Sequence, residues 1–405
     1  MKLPAADWRG REGLVPLLDA LGQQEGLTRF VGGAVRDTLL GLAVADIDCA
    51  TVLTPEQARD RIVAAGFKAV PTGIAHGTVT AVIPSGPVEV TTLRRDVSTD
   101  GRRATVAFTD DWREDAARRD FTINALSADP ATGAVHDYFG GIADLEAGRV
   151  RFIGDAWQRI AEDHLRILRF FRFHARFGLG EPDREALAAC TERANDLMAL
   201  SRERIADELL KLLAVPDPGP TVALMLDHAI FRPVLPEFDA RGLDRLVALV
   251  RREAAAGIAP VALRRLAALI GADTGLALSI AQRLKLSRAA KLRLEKVARL
   301  LSGDEGPPRA IAYRFGVDAA TDALLIGPAE DAGAAASLAE ISGWKVPRLP
   351  ISGGALMACG LSSGPIVAAT LQAVERRWIE EDFPDLDRLG AIADEEVAQV
   401  LRERR

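Results

Sequence analysis

Hydrophobic positions change their period about a third of the way along this chain. From residue 14 to about 150, short apolar runs alternate with turn-forming residues. From residue 155 onward, apolar residues recur every three or four positions, the helical signature. Leu14 to Gly22 reads as a short amphipathic helix with Pro16 in its first turn. Phe30-Val31 is a strand that Gly32-Gly33 breaks, and Ala34 to Leu40 is a short helix ended by Gly41. Cys49-Ala50-Thr51 is β-prone. Thr54 caps a helix that has Pro55 at its first position and runs to about Ala65. Phe67 to Val70, Gly77 to Ile83 and Val88 to Leu93 read as strands, with a turn at Pro84-Ser85-Gly86-Pro87. The pattern predicts a mixed sheet of about five strands with helices packed on it.

Arg94 to Arg119 has little periodicity and charges of both signs, and reads as a mobile loop returning to the sheet. Val135 to Gly141 closes the sheet domain. Asp155 to Phe177 reads as one helix, with Ile160, Ile167, Leu168, Phe171 and Ala175 on one face. Arg166 and Arg169 fall opposite, flanked by Asp163 and Arg172. Pro182 opens another helix, and Ser201 caps one from Arg202 to about Val215 that carries Arg204 and Glu208. Val215 to Pro220 is proline-rich and reads as a linker. Helices then run to the C-terminus, broken at Gly257–Pro260, Gly271–Gly275, Gly303–Pro308 and Gly327–Gly333. No fixed-period repeat points to a solenoid.

Composition narrows the class. A length of 405 residues implies two to four domains, and 48% hydrophobic residues allow real cores. A net charge of −6 announces no global basic field for nucleic acid, so any RNA contact rests on local arginine clusters. Ala281 to Ala298 is one locally basic stretch, equally readable as a solvated helix pair. Cys49, Cys190 and Cys359 have neither disulfide nor zinc spacing, and the five histidines form no metal-ligand pattern. There is no signal peptide and no long apolar run, so a soluble cytoplasmic protein without membrane contact is expected.

The chemistry concentrates in Phe30 to Thr51. A Gly-Gly turn at a helix N-terminus lets a phosphate approach free N–H groups and a positive dipole end. Asp46 and Asp48, at i and i+2 on a strand, point to the same face, roughly 6.5–7 Å apart along the backbone. Paired carboxylates of this kind hold Mg²⁺, which prefers a few acids plus substrate phosphates. Without further context the same residues describe a turn and two solvated acids. Glu89 joins the site if its strand neighbours the aspartates, and otherwise faces outward. Arg118-Arg119 is either a phosphate clamp or a solvated charge cluster. The arginines of the 155–177 helix admit the same two readings.

Taken in order, several motifs resemble the class II tRNA nucleotidyltransferase and bacterial poly(A) polymerase family. They are Val31-Gly32-Gly33-Ala34-Val35-Arg36-Asp37, Asp46-Ile47-Asp48, Glu89-Val90-Thr91-Thr92-Leu93-Arg94 and Asp100-Gly101-Arg102-Arg103. Arg118-Arg119-Asp120-Phe121-Thr122-Ile123-Asn124-Ala125, Glu162-Asp163-His164-Leu165-Arg166, and Arg169 with Arg172 complete the set. The match is dense over about residues 28 to 215, and thinner around Leu284-Lys285-Leu286 and from Ile351. The resemblance implies an α+β fold: a polymerase-β-like nucleotidyltransferase head (1–150), then an all-α neck for base recognition (151–215), body (216–330) and tail for tRNA docking (331–405). It implies Mg²⁺ on Asp46 and Asp48, with Glu89 as an auxiliary acid. Nucleotide binding falls to Gly32, Gly33, Arg36, Arg119, Arg169 and Arg172, and base selection to Asp163 and Arg166. The loop from Arg94 to Ala117 matches a flexible element needed for the last addition.

The implied reaction adds C, C and A to the acceptor end of tRNA from CTP and ATP, through attack of the RNA 3′-hydroxyl on the α-phosphate, with no protein partner. The base-selecting pair makes chemical sense. Cytosine and adenine each present an exocyclic amine beside a ring-nitrogen acceptor, which suits an acceptor Asp and a donor Arg. Uracil and guanine mismatch both. The chain departs from the family in having Ala45 before the aspartates and a tail that is not notably basic. Leu42-Ala43-Val44-Ala45 lacks the basic run of the poly(A) branch, which favours tRNA. Rival readings are poly(A) synthesis, a split activity adding only CC or only A, and a non-catalytic RNA-binding protein on the same scaffold. A dinucleotide-binding oxidoreductase fails because GxGxxG is incomplete.

Overall fold

The computed structural model describes residues 1–74, 77–99, 104–304, 306–328, 331–362 and 364–403. The motif Asp100 to Arg103 lies outside them. The chain packs as two compact units, Met1–Pro236 and Glu237–Arg405.

The first unit begins with helix α1 (Leu14–Ala20), strand β1 (Thr28–Val31), helix α2 (Gly33–Leu39), strand β2 (Asp48–Thr51) and helix α3 (Pro55–Ala64). Strands β3 (Lys68–Gly73), β4 (Thr78–Ile83) and β5 (Gly86–Thr92) follow, then a hairpin of β6 (Arg94–Thr99) and β7 (Ala104–Phe108). Helix α4 (Trp112–Ala117), the two-residue strands β8 (Ser127–Ala128) and β9 (Val135–His136), and α5 (Gly141–Glu146) close the α+β portion. The main sheet has the order β3-β4-β5-β2-β1-β8-β9. It is mixed, because β2 pairs parallel with β5 while the other pairs are antiparallel.

Seven strands therefore stand where about five were expected. β8 and β9 are too short to show a period of two. The segment read as a mobile loop from Arg94 to Arg119 contains the β6–β7 hairpin and α4 among its described residues. Its pairing comes from backbone hydrogen bonds rather than from apolar alternation, which is why the pattern missed it. The α3 reading holds closely: Pro55 is the first helical residue, and Thr54 and Gln57 form a reciprocal capping box across it. Helices α1 and α3 pack together, and α3 covers β3, β4 and β5.

Five further helices complete the first unit: α6 (Ala156–Glu162), α7 (Arg166–Phe177), α8 (Arg184–Glu192), α9 (Arg202–Leu213) and α10 (Gly219–Asp227). The single helix expected over Asp155 to Phe177 is two. Asp163 adopts an extended conformation, φ −152° and ψ 106°, and ends α6. Its carboxylate accepts from the Leu165 N–H two residues on, a local bond that competes with helix continuation. Asp163 and Arg166 are thus not neighbours on one helix face but flank a break. The proline-rich stretch read as a linker leads directly into α10, whose first residue is Gly219. A cluster of Phe121, Phe152, Phe170 and Phe173 packs the sheet portion onto α7.

The second unit is helical: α11 (Ala240–Ala255), α12 (Ala262–Ile270), α13 (Thr274–Arg283), α14 (Arg288–Leu301), α15 (Pro308–Phe315), α16 (Val317–Ile326), α17 (Asp331–Ile341), α18 (Gly353–Ala358), α19 (Pro365–Glu380) and α20 (Leu386–Glu403). Its interior holds a charged knot. Glu253 accepts from Arg264 at 2.7 Å and Arg265 at 2.9 Å, and Asp322 accepts from Arg264 at 2.8 Å and Arg293 at 2.6 Å. Among the described residues no helix is long and apolar enough to cross a membrane.

Candidate active site

The sheet places the acids first. In the parallel pair β2–β5, Asp48 lies opposite Glu89, so the two carboxylates share one face. The next positions, Cys49 and Val90, turn to the other face and are buried. Asp46 precedes β2 rather than lying within it, but burial still alternates: Asp46 is exposed, Ile47 buried, Asp48 half-buried. The Asp48 carboxyl is raised above its ordinary value by burial and by the negative charges of Glu89 and Asp46, against an opposing pull from Arg119. Nearby Asp46 and the sequence-distant Glu89 and Arg119 are therefore electrostatic neighbours of Asp48.

Arg119 also reaches the glycine turn. Gly32 caps α2 at φ 63°, ψ −123°, and a Cβ there would lie 3.1 Å from an Arg119 guanidinium nitrogen. Only glycine meets both the backbone angle and the space. Arg119 itself donates to the Asn124 carbonyl and to Asp115. Asp115 is buried. Burial pushes its carboxyl up, but Arg119 and Arg118 outweigh this and hold it below the ordinary range.

Arg36 is buried and already partnered. The residue is only 6% exposed. The guanidinium donates to Asp37 at 2.7 Å and to Asn124, and lies 4.2 Å from the centre of the Phe177 ring. Burial lowers its pKa. Arg36 thus links α2 to α7, with a guanidinium nitrogen 3.7 Å from where a Cβ on Gly33 would stand.

The 115–124 run joins this cluster to α7. Arg166 donates to the Arg118 carbonyl at 3.1 Å, to the Arg159 carbonyl, and to Glu162 at 2.6 Å. Arg169 donates to Asp120 at 2.7 Å, and Arg172 donates to Glu208 on α9. Burial pushes the Asp120 carboxyl up, but Arg169 and hydrogen bonds from Asn124 and the Phe121 N–H prevail and hold it low. Asp163 accepts from Arg204 of α9 at 2.7 Å. The sequence named Asp120, Asn124, Arg204 and Glu208 without assigning them roles. A helix carrying Arg204 and Glu208 four residues apart, facing another helix rich in arginine, was the available signal.

The residues fit a divalent cation in kind. Asp46, Asp48 and Glu89 offer only oxygens, and their mutual repulsion at Asp48 is what a cation relieves. Among the described residues no three His, Cys, Asp or Glu side chains close a cage on their own.

Comparison with known proteins bears directly on this arrangement. Residues 28–151 match the family described as Poly A polymerase head domain, and residues 181–241 the one described as Probable RNA and SrmB-binding site of polymerase A. CCA tRNA nucleotidyltransferase 1, mitochondrial, of Mus musculus is 36% identical over 396 residues, covering 95% of this chain and 90% of that relative. The chain belongs to the CCA tRNA nucleotidyltransferase family. The CCA-adding enzyme of Levilactobacillus brevis is 31% identical over 387 residues, covering 91% of this chain and 94% of that one. Among solved structures, the Bacillus stearothermophilus CCA-adding enzyme in complex with CTP matches with TM-score 0.71 at 24% identity, covering 96% of this chain and 99% of that one. The Thermotoga maritima CCA-adding enzyme complexed with tRNA matches with TM-score 0.68 at 22% identity, covering 96% and 95%. At these identities the structural matches speak to fold. In family terms, the acids on β2 and β5 lie in the matched head domain, and α8 to α10 lie in the second matched segment.

Proposed function

We propose that this member of the family adds C, C and A to the 3′ end of tRNA, using CTP and ATP. The observation that carries the reading is the juxtaposition of Asp48 with Glu89 across β2–β5, with Arg119 beside them and Arg166, just past the break at Asp163, attached through the Arg118 carbonyl. Near-full-length identity to named CCA tRNA nucleotidyltransferases supports it. The four-part division into head, neck, body and tail at residues 150, 215 and 330 belongs to this proposal, as does a cytoplasmic location.

Asp46 and Asp48, aided by Glu89, would hold Mg²⁺, which when bound lowers the pKa of the attacking hydroxyl and offsets phosphate charge. The protein's own groups do the rest. Gly32 admits the triphosphate close to the backbone. Arg119, hinged on Asp115, neutralises phosphate charge beside Asp48. Arg169 and Arg172, oriented by Asp120 and Glu208, offer further donors to the triphosphate. Asp163 accepts from the exocyclic amine of cytosine or adenine and Arg166 donates to the ring nitrogen, which leaves uracil and guanine with unpaired groups. Such mismatches in a site built for hydrogen bonding cost on the order of 10⁴-fold in selection.

The test is a tailing assay with Mg²⁺ on tRNA transcripts ending before CCA, after C and after CC, plus an unrelated RNA. Two C additions and one A, on tRNA alone, are expected. The family description of the head favours one second reading, poly(A) synthesis. Long A tails on any RNA would establish that reading and overturn the first.

A further inference from the structure

Asp163 is held at two points. One carboxylate oxygen accepts the Leu165 N–H at 3.1 Å, and the other accepts Arg204 at 2.7 Å. The first bond is built into the break between α6 and α7. The second comes from α9, forty-one residues later. Together they fix both the position and the plane of the carboxylate. An ionised carboxylate has about four acceptor sites, so two remain for a ligand.

The supply of Arg204 is itself well anchored. On α9, Glu208 lies one turn beyond Arg204 and is only 3% exposed. It accepts from Arg172 and lies 3.6 Å from an Arg169 nitrogen. One face of α9 thus presents a cation to Asp163 and an anion to the arginines of α7. That complementarity fixes the register of α9 against α7, and so the distance from Arg204 to Asp163. Arg204 and Asp163 are each about one-third exposed, 32% and 30%. An ion pair at that exposure contributes little to folding. Its geometric effect on the carboxylate is the larger consequence.

We propose that Arg204 is a positioning residue for base selection: it holds the Asp163 carboxylate in the plane that meets the exocyclic amine of the incoming nucleotide. This rests on the CCA-adding reading and on Asp163 as the amine acceptor. It assigns Arg204 to specificity rather than to phosphate binding or to stability. Freed from Arg204, the carboxylate keeps only the Leu165 bond and rotates about it. Amine-bearing bases then lose their advantage over uracil.

The experiment is a double-mutant cycle on the full chain. Single-nucleotide addition of CTP and of UTP to tRNA lacking CCA would be compared for wild type, R204A, D163A and the double variant. Calorimetry would check that each melts as wild type does. R204A is expected to lower the CTP-to-UTP ratio of kcat/KM on the order of tenfold, the value of one charge-assisted hydrogen bond. R204K, which keeps the cation, is expected to recover part of the ratio. In the D163A background the Arg204 change is expected to add nothing. An R204A variant with wild-type discrimination overturns the proposal, as does an Arg204 effect that persists undiminished without Asp163. If D163A itself discriminates as wild type does, the base-selection reading fails first and the inference falls with it. If D163A loses discrimination and R204A does not, only the inference fails.

Discussion

Asp120 offers a sharp test of how the 115–124 run is tied to α7. Its carboxylate is 8% exposed and accepts Arg169 on one oxygen at 2.7 Å, with the Asn124 amide and the Phe121 N–H both at 2.9 Å on the other. Asp120→Asn preserves size and removes charge. Either amide orientation then sets an NH₂ against a donor, Arg169 in one and Asn124 with Phe121 in the other. Breaking one side of a buried ion pair costs about 3–5 kcal/mol. Arg169 is 30% exposed and partly solvated, so about 2–3 kcal/mol is the expected loss. For a unit of this size that is roughly 5–10 °C in Tm by calorimetry. The pH dependence has a definite sign. The folded-state pKa of Asp120 is depressed, so its charge stabilises fully above the unfolded carboxylate value of about 4 and fades as pH falls through the lower folded value. The gap between wild type and variant should be widest at pH 7 and close as pH falls below about 4. An unchanged Tm at pH 7, or a gap that widens in acid, would refute the pairing.

Three other outcomes are expected. Because the Asp48 carboxyl is raised, protons compete with a divalent cation at higher pH than at an ordinary carboxylate; Mg²⁺ titrations of activity from pH 8 to pH 5 should need more metal as pH falls, and a pH-independent requirement would contradict this. Gly141→Ala would set a Cβ 2.3 Å from the Thr122 carbonyl oxygen, backbone against backbone, and should destabilise by about 1–3 kcal/mol or more in urea melts, whereas Gly10→Ala, which like Gly141 lacks a positive φ but meets no atom within 4 Å, serves as the comparison. In the second unit, Glu253→Gln leaves Arg264 with Asp322 but deprives Arg265 of the Glu253 carboxylate, and the calorimetric loss should be about 2–4 kcal/mol; a neutral result would mean the buried knot contributes little there.

The sheet core was legible because its strands carry short apolar runs and its turns carry glycine and proline. Gly32, Asp46-Ile47-Asp48 and Glu89 were found from local chemistry and their order. What the sequence could not show was pairing across distance. Nothing near Glu89 says that it faces Asp48; the parallel β2–β5 register does. The break at Asp163 was hidden because apolar period continues across it, through Ile160 and Ile167, while the side-chain bond that ends α6 leaves no hydrophobic trace. The burial of Arg36 was hidden as well, because it depends on Phe177, which the fold brings over it from α7.

The arginines of α7 carry a wider lesson about charge. Counted along the sequence, Arg166, Arg169, Arg172 and Arg176 form a cationic stripe ready for a triphosphate. In the fold each meets an acid: Glu162, Asp120, Glu208 and Asp37 respectively. Asp163, the acid among them, meets Arg204. The local field is therefore close to balanced, in keeping with a chain whose net charge is −6. A balanced wall attracts nucleotide weakly at long range but fixes its donors and acceptors in place before the ligand arrives. Acids behind the arginines also limit how far each guanidinium can follow a misaligned phosphate or base. For an enzyme that must choose two bases out of four without a nucleic-acid template, rigidity of that kind serves selection better than a stronger field would.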